Sequence, residues 1–306
     1  MPSSDGSGAS LAGAPVLPEG WRWEGFHGVL VAVPGEWGWG NGSQRMGQWC
    51  VEGGDKPPIV GRPGPSTAVG CPTRGDGVDP STLIENTGVV MAFEWAIDGV
   101  ALSAQGDQEA RRVGDTIVRV NAPADLRRQI LATLHEAEVD ASGCPMDLPA
   151  SFEPGARPQP ARDVATLTGV TSVVACRYEL GPLTEMKGDS MAVPLFSSLR
   201  LGGQAAQAAV AAIAAAPLGG GPDIPDTCLP DFSYGSEMIV AHMRSDQGES
   251  AVHVYYSGCD HNGFDDGFAL RALTRDSVQP LVAAPNTPLT WGGPAAKRRI
   301  LIPEGQ

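Results

Sequence analysis

Short apolar runs separated by glycine and proline set the rhythm of this chain. Positions 21–23 and 28–33 read as two short strands, and Pro34-Gly35 ends the second. Positions 35–87 are turn-rich, with Gly-Trp pairs, prolines through 57–65 and Cys71-Pro72. Positions 88–95 and 115–120 are rich in Val, Met, Phe and Ile and read as better strands. The spacing of Leu126, Ile130, Leu131 and Leu134 predicts a helix over about 123–137, with Pro123 in its first turn. Farther along, 170–180 and 195–201 read as strands, and 204–216 as a helix ended by Pro217 and Gly219-Gly220-Gly221. Positions 237–244 and 251–256 are again strands, and 268–273 pairs back across a turn. Thr274 then caps a short helix that Pro280, lacking the donor the ladder needs, must limit.

A strand-then-helix order therefore recurs. Leu199-Arg200-Leu201 with Val210, Ile213 and Pro217 matches Leu270-Arg271-Ala272-Leu273 with Val278, Leu281 and Pro285, the earlier copy being about one helical turn longer. Thr116 to Val120 followed by the helix at 123 has the same order. Chance similarity in alanine-rich sequence competes with a true repeat. Each unit would bury one helix face on an antiparallel sheet, which makes the fold class α+β: antiparallel sheets with a few packed helices, in repeated strand-strand-helix units. The division expected is a disordered spacer over 1–20, an N-terminal α+β domain over 21–146 and a Pro-rich connector over 147–165. A C-terminal α+β domain over 166–290 and a tail over 291–306 follow.

Composition changes this picture in two ways. With 306 residues the chain can bury a sizeable core, and its 40 Gly and 27 Pro imply many turns. The net charge of −14 argues against non-specific binding to nucleic acid or to anionic membranes. Lys297-Arg298-Arg299, a basic cluster, reads as a solvated tail. Cys50, Cys71, Cys144, Cys176, Cys228 and Cys259 are even in number, free of any C-x-x-C, and about 20 to 32 residues apart within successive pairs. Three of them close runs that read as strands or strand ends, at 66–71, 171–176 and 251–259. They read as a disulfide framework, with sequential pairing of Cys50 to Cys71, Cys144 to Cys176 and Cys228 to Cys259 preferred. Such a framework belongs to an oxidising compartment. Residues 1–20 show no basic and then apolar leader, and no stretch reaches the roughly 18 apolar residues that span a bilayer. These observations agree if the chain is extracytoplasmic, secreted or formerly anchored, with its signal or anchor upstream of 1–20; a cytosolic protein with free thiols is the rival.

Local chemistry is sparse. Met186-Lys187-Gly188-Asp189-Ser190-Met191 resembles the nucleophile segment of self-cleaving repressor peptidases, but no lysine lies between Lys187 and Lys297 to serve as base, so a loop is preferred. Hydrolase elbows, P-loops and dinucleotide fingerprints are absent from the sequence. Among the histidines, His135 suits a helix C-terminus, and His242 and His253 suit adjacent strands, too few for a zinc site. Asp260, Asn262, Asp265 and Asp266 carry oxygens that calcium prefers, making them weak candidate ligands. Phe264 breaks the EF-hand register, and Asn-Gly and Asp-Gly are ordinary turn vocabulary, so a turn is the favoured reading. Trp21, Trp23, Trp37, Trp39 and Trp49 suit either a glycan platform or packing round a disulfide, and packing is preferred. Arg74-Gly75-Asp76 and the sequon Asn41-Gly42-Ser43 are treated as chance matches.

Four segments carry a wider likeness: Gly20-Trp21-Arg22-Trp23-Glu24, Val33-Pro34-x-x-Trp37-Gly38, Val60-Gly61-Arg62-Pro63-Gly64, and Tyr256-Ser257-Gly258-Cys259-Asp260-x-Asn262-Gly263-Phe264-Asp265-Asp266-Gly267. With these motifs the chain resembles uncharacterised extracytoplasmic proteins of actinobacteria over roughly 20–290. The resemblance implies a cell-envelope location and brings no catalytic residues. The reading is a non-catalytic binding or structural module without a cofactor, whose partner is an envelope protein or glycan. An envelope-acting hydrolase of glycan or peptide, using carboxylates distant in sequence, is the alternative.

Overall fold

The computed structural model describes residues 16–40, 44–45, 48–49, 58–62, 90–96, 108–149, 151–180, 193–229, 233–288 and 300–301. The fold is α+β, and the chain divides into two units, Met1–Met146 and Asp147–Gln306.

In the first unit, β1 (Trp21–Phe26) and β2 (Val29–Pro34) form a hairpin across the two-residue turn His27-Gly28. Both turn residues have positive φ, the backbone sign that a tight two-residue hairpin needs. β2 reads Val-Leu-Val-Ala-Val because it is the central strand and consecutive residues on both of its faces are buried, so apolar side chains are needed on each. A second sheet has the order β3 (Gly38–Gly40), β6 (Ile59–Gly61), β7 (Val90–Trp95), β9 (Thr116–Asn121), β8 (Gln108–Val113). Its first three strands are parallel and the rest antiparallel. A small ladder joins β4 (Gln44–Arg45) to β5 (Gln48–Trp49). The turn-rich stretch thus contributes short strands, too brief for alternation to show.

Helix α1 spans Ala124–Ala132, with Ile130 and Leu131 buried, and stops well before 137. The reason is Thr133, whose hydroxyl donates to the Ile130 carbonyl at 2.6 Å and accepts from the Ala32 amide at 2.8 Å. This bond ties the chain to β2, and His135–Glu136 becomes β10, the third strand of the first sheet. His135 therefore sits on a strand and not at a helix terminus. Its Nδ1 lies 2.8 Å from the Thr133 carbonyl, and its ring meets Trp23 edge-on at 5.1 Å.

The second unit is built on one antiparallel sheet of order β11 (Asp147–Leu148), β13 (Val193–Gly202), β12 (Ser172–Glu179), β14 (Glu237–Ser245), β15 (Gly248–Tyr255), β16 (Gly263–Asp265), β17 (Leu270–Arg271). Helices α2 (Gly203–Ala215) and α3 (Arg275–Val278) cover one face of it. α2 presents Ala206, Ala209, Val210 and Ile213 inward, an i, i+3, i+4, i+7 stripe whose small residues let the helix lie close to the strands. Val173, Ala175, Ile239, Ala241, Val252 and Val254 face it. Each larger aliphatic side chain buried in this way contributes roughly 1.5–3 kcal/mol of transfer free energy. Strand followed by helix recurs at β9–α1, β13–α2 and β17–α3. The last helix has four residues against thirteen in α2, a larger difference than one turn. Thr274 caps it by accepting from the Ser277 amide, as its sequence position suggests.

The Pro-rich stretch after 147 belongs to this unit. It starts in β11 and ends at a 3-10 turn, Val164–Thr166, whose Val164 is part of the core. Cys228 and Cys259 form a disulfide, with Cα atoms 5.3 Å apart. Cys144 and Cys176 are each disulfide-bonded, while Cys50, Cys71 and the run 66–71 lie outside the described residues. The strand-end reading fails for the two runs that are described. Cys176 sits within β12, opposite Ser198 and Val240, because the strand continues to Glu179. Cys259 lies in the loop beyond β15, which ends at Tyr255.

Candidate functional site

The segment 256–267 runs from the end of β15 through β16, and almost every polar group in it has an internal partner. The Ser257 hydroxyl accepts from the Glu237 amide at 2.9 Å and donates to the Glu237 carbonyl at 2.8 Å, fastening the start of β14. Cys259 carries the disulfide to Cys228. The Asn262 side-chain amide donates to the carbonyls of Pro222 and Gly258 and to Asp223, which pins the 219–224 turn. Asp266 accepts from the amides of Phe268 (2.8 Å), Ala269 (2.6 Å) and Val164 (2.9 Å). Asp265 accepts the fork of Arg157, with contacts of 2.7 to 3.1 Å, and the Gly267 amide at 2.8 Å. Asp260 accepts from the His261 amide at 2.8 Å on the exposed loop.

Asp260, Asn262, Asp265 and Asp266 thus each serve a separate set of neighbours and do not converge. Among the described residues no group of three or more His, Cys, Asp or Glu side chains can hold a metal ion. Hydrogen bonds to a charged acceptor contribute roughly 1.5–3 kcal/mol each, so the segment is a latch that ties four stretches of chain together.

Beside the latch lies a buried charge cluster that the sequence reading did not identify. Arg177, 1 % exposed, donates through Nε to Glu237 Oε2 at 2.6 Å, and the Tyr256 hydroxyl donates to the same oxygen at 2.9 Å. The Arg177 guanidinium also stacks 4.4 Å from the Phe196 ring centroid, with Glu179 close by. Burial, the largest single influence, would depress the Arg177 pKa, yet the charge and hydrogen bond of Glu237 together with Tyr256 and Glu179 outweigh it and raise the group. Tyr256 is pushed well above the ordinary phenol value, by burial first and the Glu237 charge second. Asn286 closes the cluster's flank, donating to the Ala175 carbonyl at 2.9 Å and accepting from Ser197 at 2.7 Å. An arginine inside the apolar run Val173-Val174-Ala175-Cys176-Arg177-Tyr178 was the available signal, since such a residue needs a buried partner.

His242 and His253 lie on adjacent strands and share the sheet face opposite α2. They are diagonal neighbours: His242 pairs with Ala251, and His253 with Val240. Both have pKa values below the ordinary imidazole value, with burial as the first cause in each case; the His242 ring is nonetheless exposed at the surface, so the partly buried His253 carries the larger share. For His253 the Ala156 carbonyl at 2.9 Å and the Asp265 charge oppose this shift without cancelling it. The unfolded chain therefore binds protons that the folded chain refuses. Stability is complete above the unfolded value near 6.5, declines as pH falls below it, and levels off under the depressed native values. Urea midpoints measured from pH 8 to pH 5 are expected to fall across that window. The chain carrying His242→Gln and His253→Gln is expected to fall less steeply, and an identical slope would refute the assignment.

In the first unit, two of the resemblance motifs, 20–24 and 60–64, meet at one carboxylate, joined there by Trp39 directly after a third. Glu24, 4 % exposed, accepts from Arg22 Nε (2.7 Å), Trp39 Nε1 (2.9 Å) and Arg62 Nη2 (2.7 Å). Burial would raise its carboxyl, but Arg62 and Arg22 prevail and hold it below the usual range. Arg22 stacks on Trp39 at 4.3 Å, and Arg62 on Phe93 at 5.5 Å. Trp37 is buried and Trp39 is partly exposed. The indoles described here pack on ions and rings, and no platform of parallel tryptophans is formed among the described residues. Lys187 and Ser190, the sequon at Asn41, and Arg74-Gly75-Asp76 fall outside the described residues.

No described helix is long and apolar enough to cross a membrane. Comparison of the chain with protein-family models, with curated proteins and with solved structures finds no match to any of them.

Proposed function

We propose that this chain is an exported module of the cell envelope that binds a protein or glycan partner or serves as scaffold, without catalysis of its own. The observation that carries this reading is the use of side chains in 256–267. The carboxylates and hydroxyl with the best chemical credentials accept backbone amides or an arginine, and so hold the fold. A group fixed in that way supports a rigid surface and is poorly placed to shuttle protons, which needs a carboxyl within reach of substrate. The disulfide between Cys228 and Cys259 supports an oxidising compartment. The likeness of the tryptophan-rich and Asp-Asp-Gly motifs to actinobacterial extracytoplasmic proteins supports the envelope in particular.

The test is incubation of the full chain with washed, insoluble wall material, followed by assay of pellet and supernatant. Saturable co-sedimentation without release of soluble sugar or peptide is the expected outcome. Time-dependent release of soluble fragments would overturn the reading in favour of the hydrolase, and the absence of any binding would remove the envelope assignment.

A further inference from the structure

The Pro-rich segment 151–162 lies across the sheet face opposite α2, held by side chains from β15, β16 and the Tyr234 loop. The Phe152 ring meets His253 at 6.0 Å. The Gly155 amide donates to the Tyr255 hydroxyl at 3.0 Å, and the Ala156 carbonyl lies 2.9 Å from His253 Nδ1. Gly155 approaches Tyr234 so closely that a Cβ there would sit 2.2 Å from the phenol oxygen. Arg157 places its fork on Asp265, and Pro158 is buried, its carbonyl against Gly267, where a Cβ would come within 2.5 Å of it. Tyr234 and Tyr255 pack edge to face at 5.1 Å, with His261 stacked on Tyr234 at 4.6 Å. The segment is therefore seated as a peptide ligand would be, on an aromatic and imidazole ledge that ends in a carboxylate.

Two features make this seat releasable. First, the backbone hydrogen bonds formed by the amides of Phe152 and Ala156 are local, to Pro149 and Glu153, and the stretch is tied to the sheet by the Arg162 amide at its far end, which donates to the Asp266 carbonyl at 3.1 Å, rather than by a strand ladder. Segments held by few contacts and exposed backbone open with small free energies. Second, the ion pair is lopsided: the Asp265 side chain is 9 % exposed, whereas the Arg157 side chain is 46 % exposed. The acceptor is built into the sheet, and the cation comes from the surface. The Gly267 amide keeps Asp265 fixed at its place in the sheet, so the vacated groove retains a carboxylate positioned to take an arginine fork in return.

We propose that this groove is a peptide-binding site occupied in cis, and that its partner is an extended, proline-rich protein segment with an arginine directly before a proline and small residues before the arginine. Extended proline-rich segments dock on aromatic ledges at low entropic cost because they are already stiff, and an arginine fork on a carboxylate adds direction. The proposal rests on the binding-module reading and deepens it by naming the surface and the partner's chemistry. The tethered segment competes at high effective concentration, so the groove of the unaltered chain is largely closed to a partner in trans.

The test uses the full chain and a labelled synthetic peptide spanning residues 151–162. The chain carrying Arg157→Ala is expected to bind this peptide saturably, and the unaltered chain about tenfold more weakly or less, because its own segment competes. A peptide carrying Arg157→Ala is expected to lose about tenfold or more in affinity. With excess peptide, the Gly155 amide of the unaltered chain is expected to exchange hydrogen faster as its segment is displaced. Far-UV circular dichroism and an intact Cys228–Cys259 bridge establish that the altered chain is folded. The proposal is overturned if the folded Arg157→Ala chain binds no peptide, or binds the peptide lacking arginine equally well. Wall co-sedimentation that persists alongside either result would sink the groove and leave the module reading standing.

Discussion

Replacing Glu237 with alanine is expected to lower stability by about 3–5 kcal/mol, the cost of leaving a buried charge without its partner. The carboxylate is 2 % exposed and holds both the Arg177 guanidinium and the Tyr256 hydroxyl, themselves 1 % and 0 % exposed. Truncation leaves arginine charged, because its pKa is far too high to shed the proton. Water cannot easily reach it, since Arg177 is almost fully buried and its strand neighbour Ser197 is closed off by Asn286. The loss should appear as a lower urea midpoint with the slope unchanged, since the surface exposed on unfolding is the same. The companion variant, Arg177→Met with Glu237→Leu, removes both charges and is expected to recover most of the loss. A Glu237→Ala chain within about 1 kcal/mol of the unaltered protein would mean that Arg177 is solvated or paired elsewhere.

How much of this was legible beforehand differs by element. β2, β7 and β12 were readable because their apolar runs are continuous, and α2 because its stripe follows the helical period. β8 was not: as an edge strand it carries Gln108, Glu109, Arg111 and Arg112, which guard an open edge and erase the alternation a strand normally shows. β3 and β6 have three residues each, and their parallel pairing brings together positions about twenty residues apart, beyond any local pattern. α1 ends early through a tertiary contact, Thr133 to Ala32, that no local rule contains. The acidic loop was legible as chemistry and as a turn, but its partners were not. Asp265 lies 108 positions from Arg157, and Glu237 lies 60 positions from Arg177. Spacing along a chain identifies charges, whereas only the fold decides which of them cancel.

Removal of the Cys228–Cys259 bridge is the second large effect expected. The bridge closes a loop of 31 positions, and the chain-entropy model assigns such a closure about 3–4 kcal/mol. The loop contains β14 and β15, and its two ends border the latch: Ile224 donates to the Cys259 carbonyl, and Asn262 holds Pro222 and Asp223. A chain with both cysteines changed to serine keeps these hydrogen bonds, so it should still fold, at a lower urea midpoint. Its loss should be confined to the C-terminal unit, with the Trp95 and Trp23 environment of the N-terminal unit unchanged in near-UV circular dichroism. If instead the doubly substituted chain unfolds at the same midpoint as the parent, the bridge is not a staple.

The staple beside the latch fastens the C-terminal unit, and a non-reducing peptide map of the native chain tests it directly. The expected result is a disulfide-linked pair of peptides containing Cys228 and Cys259, absent after reduction. Free, alkylatable thiols at these positions, or either cysteine linked to a different one, would contradict it.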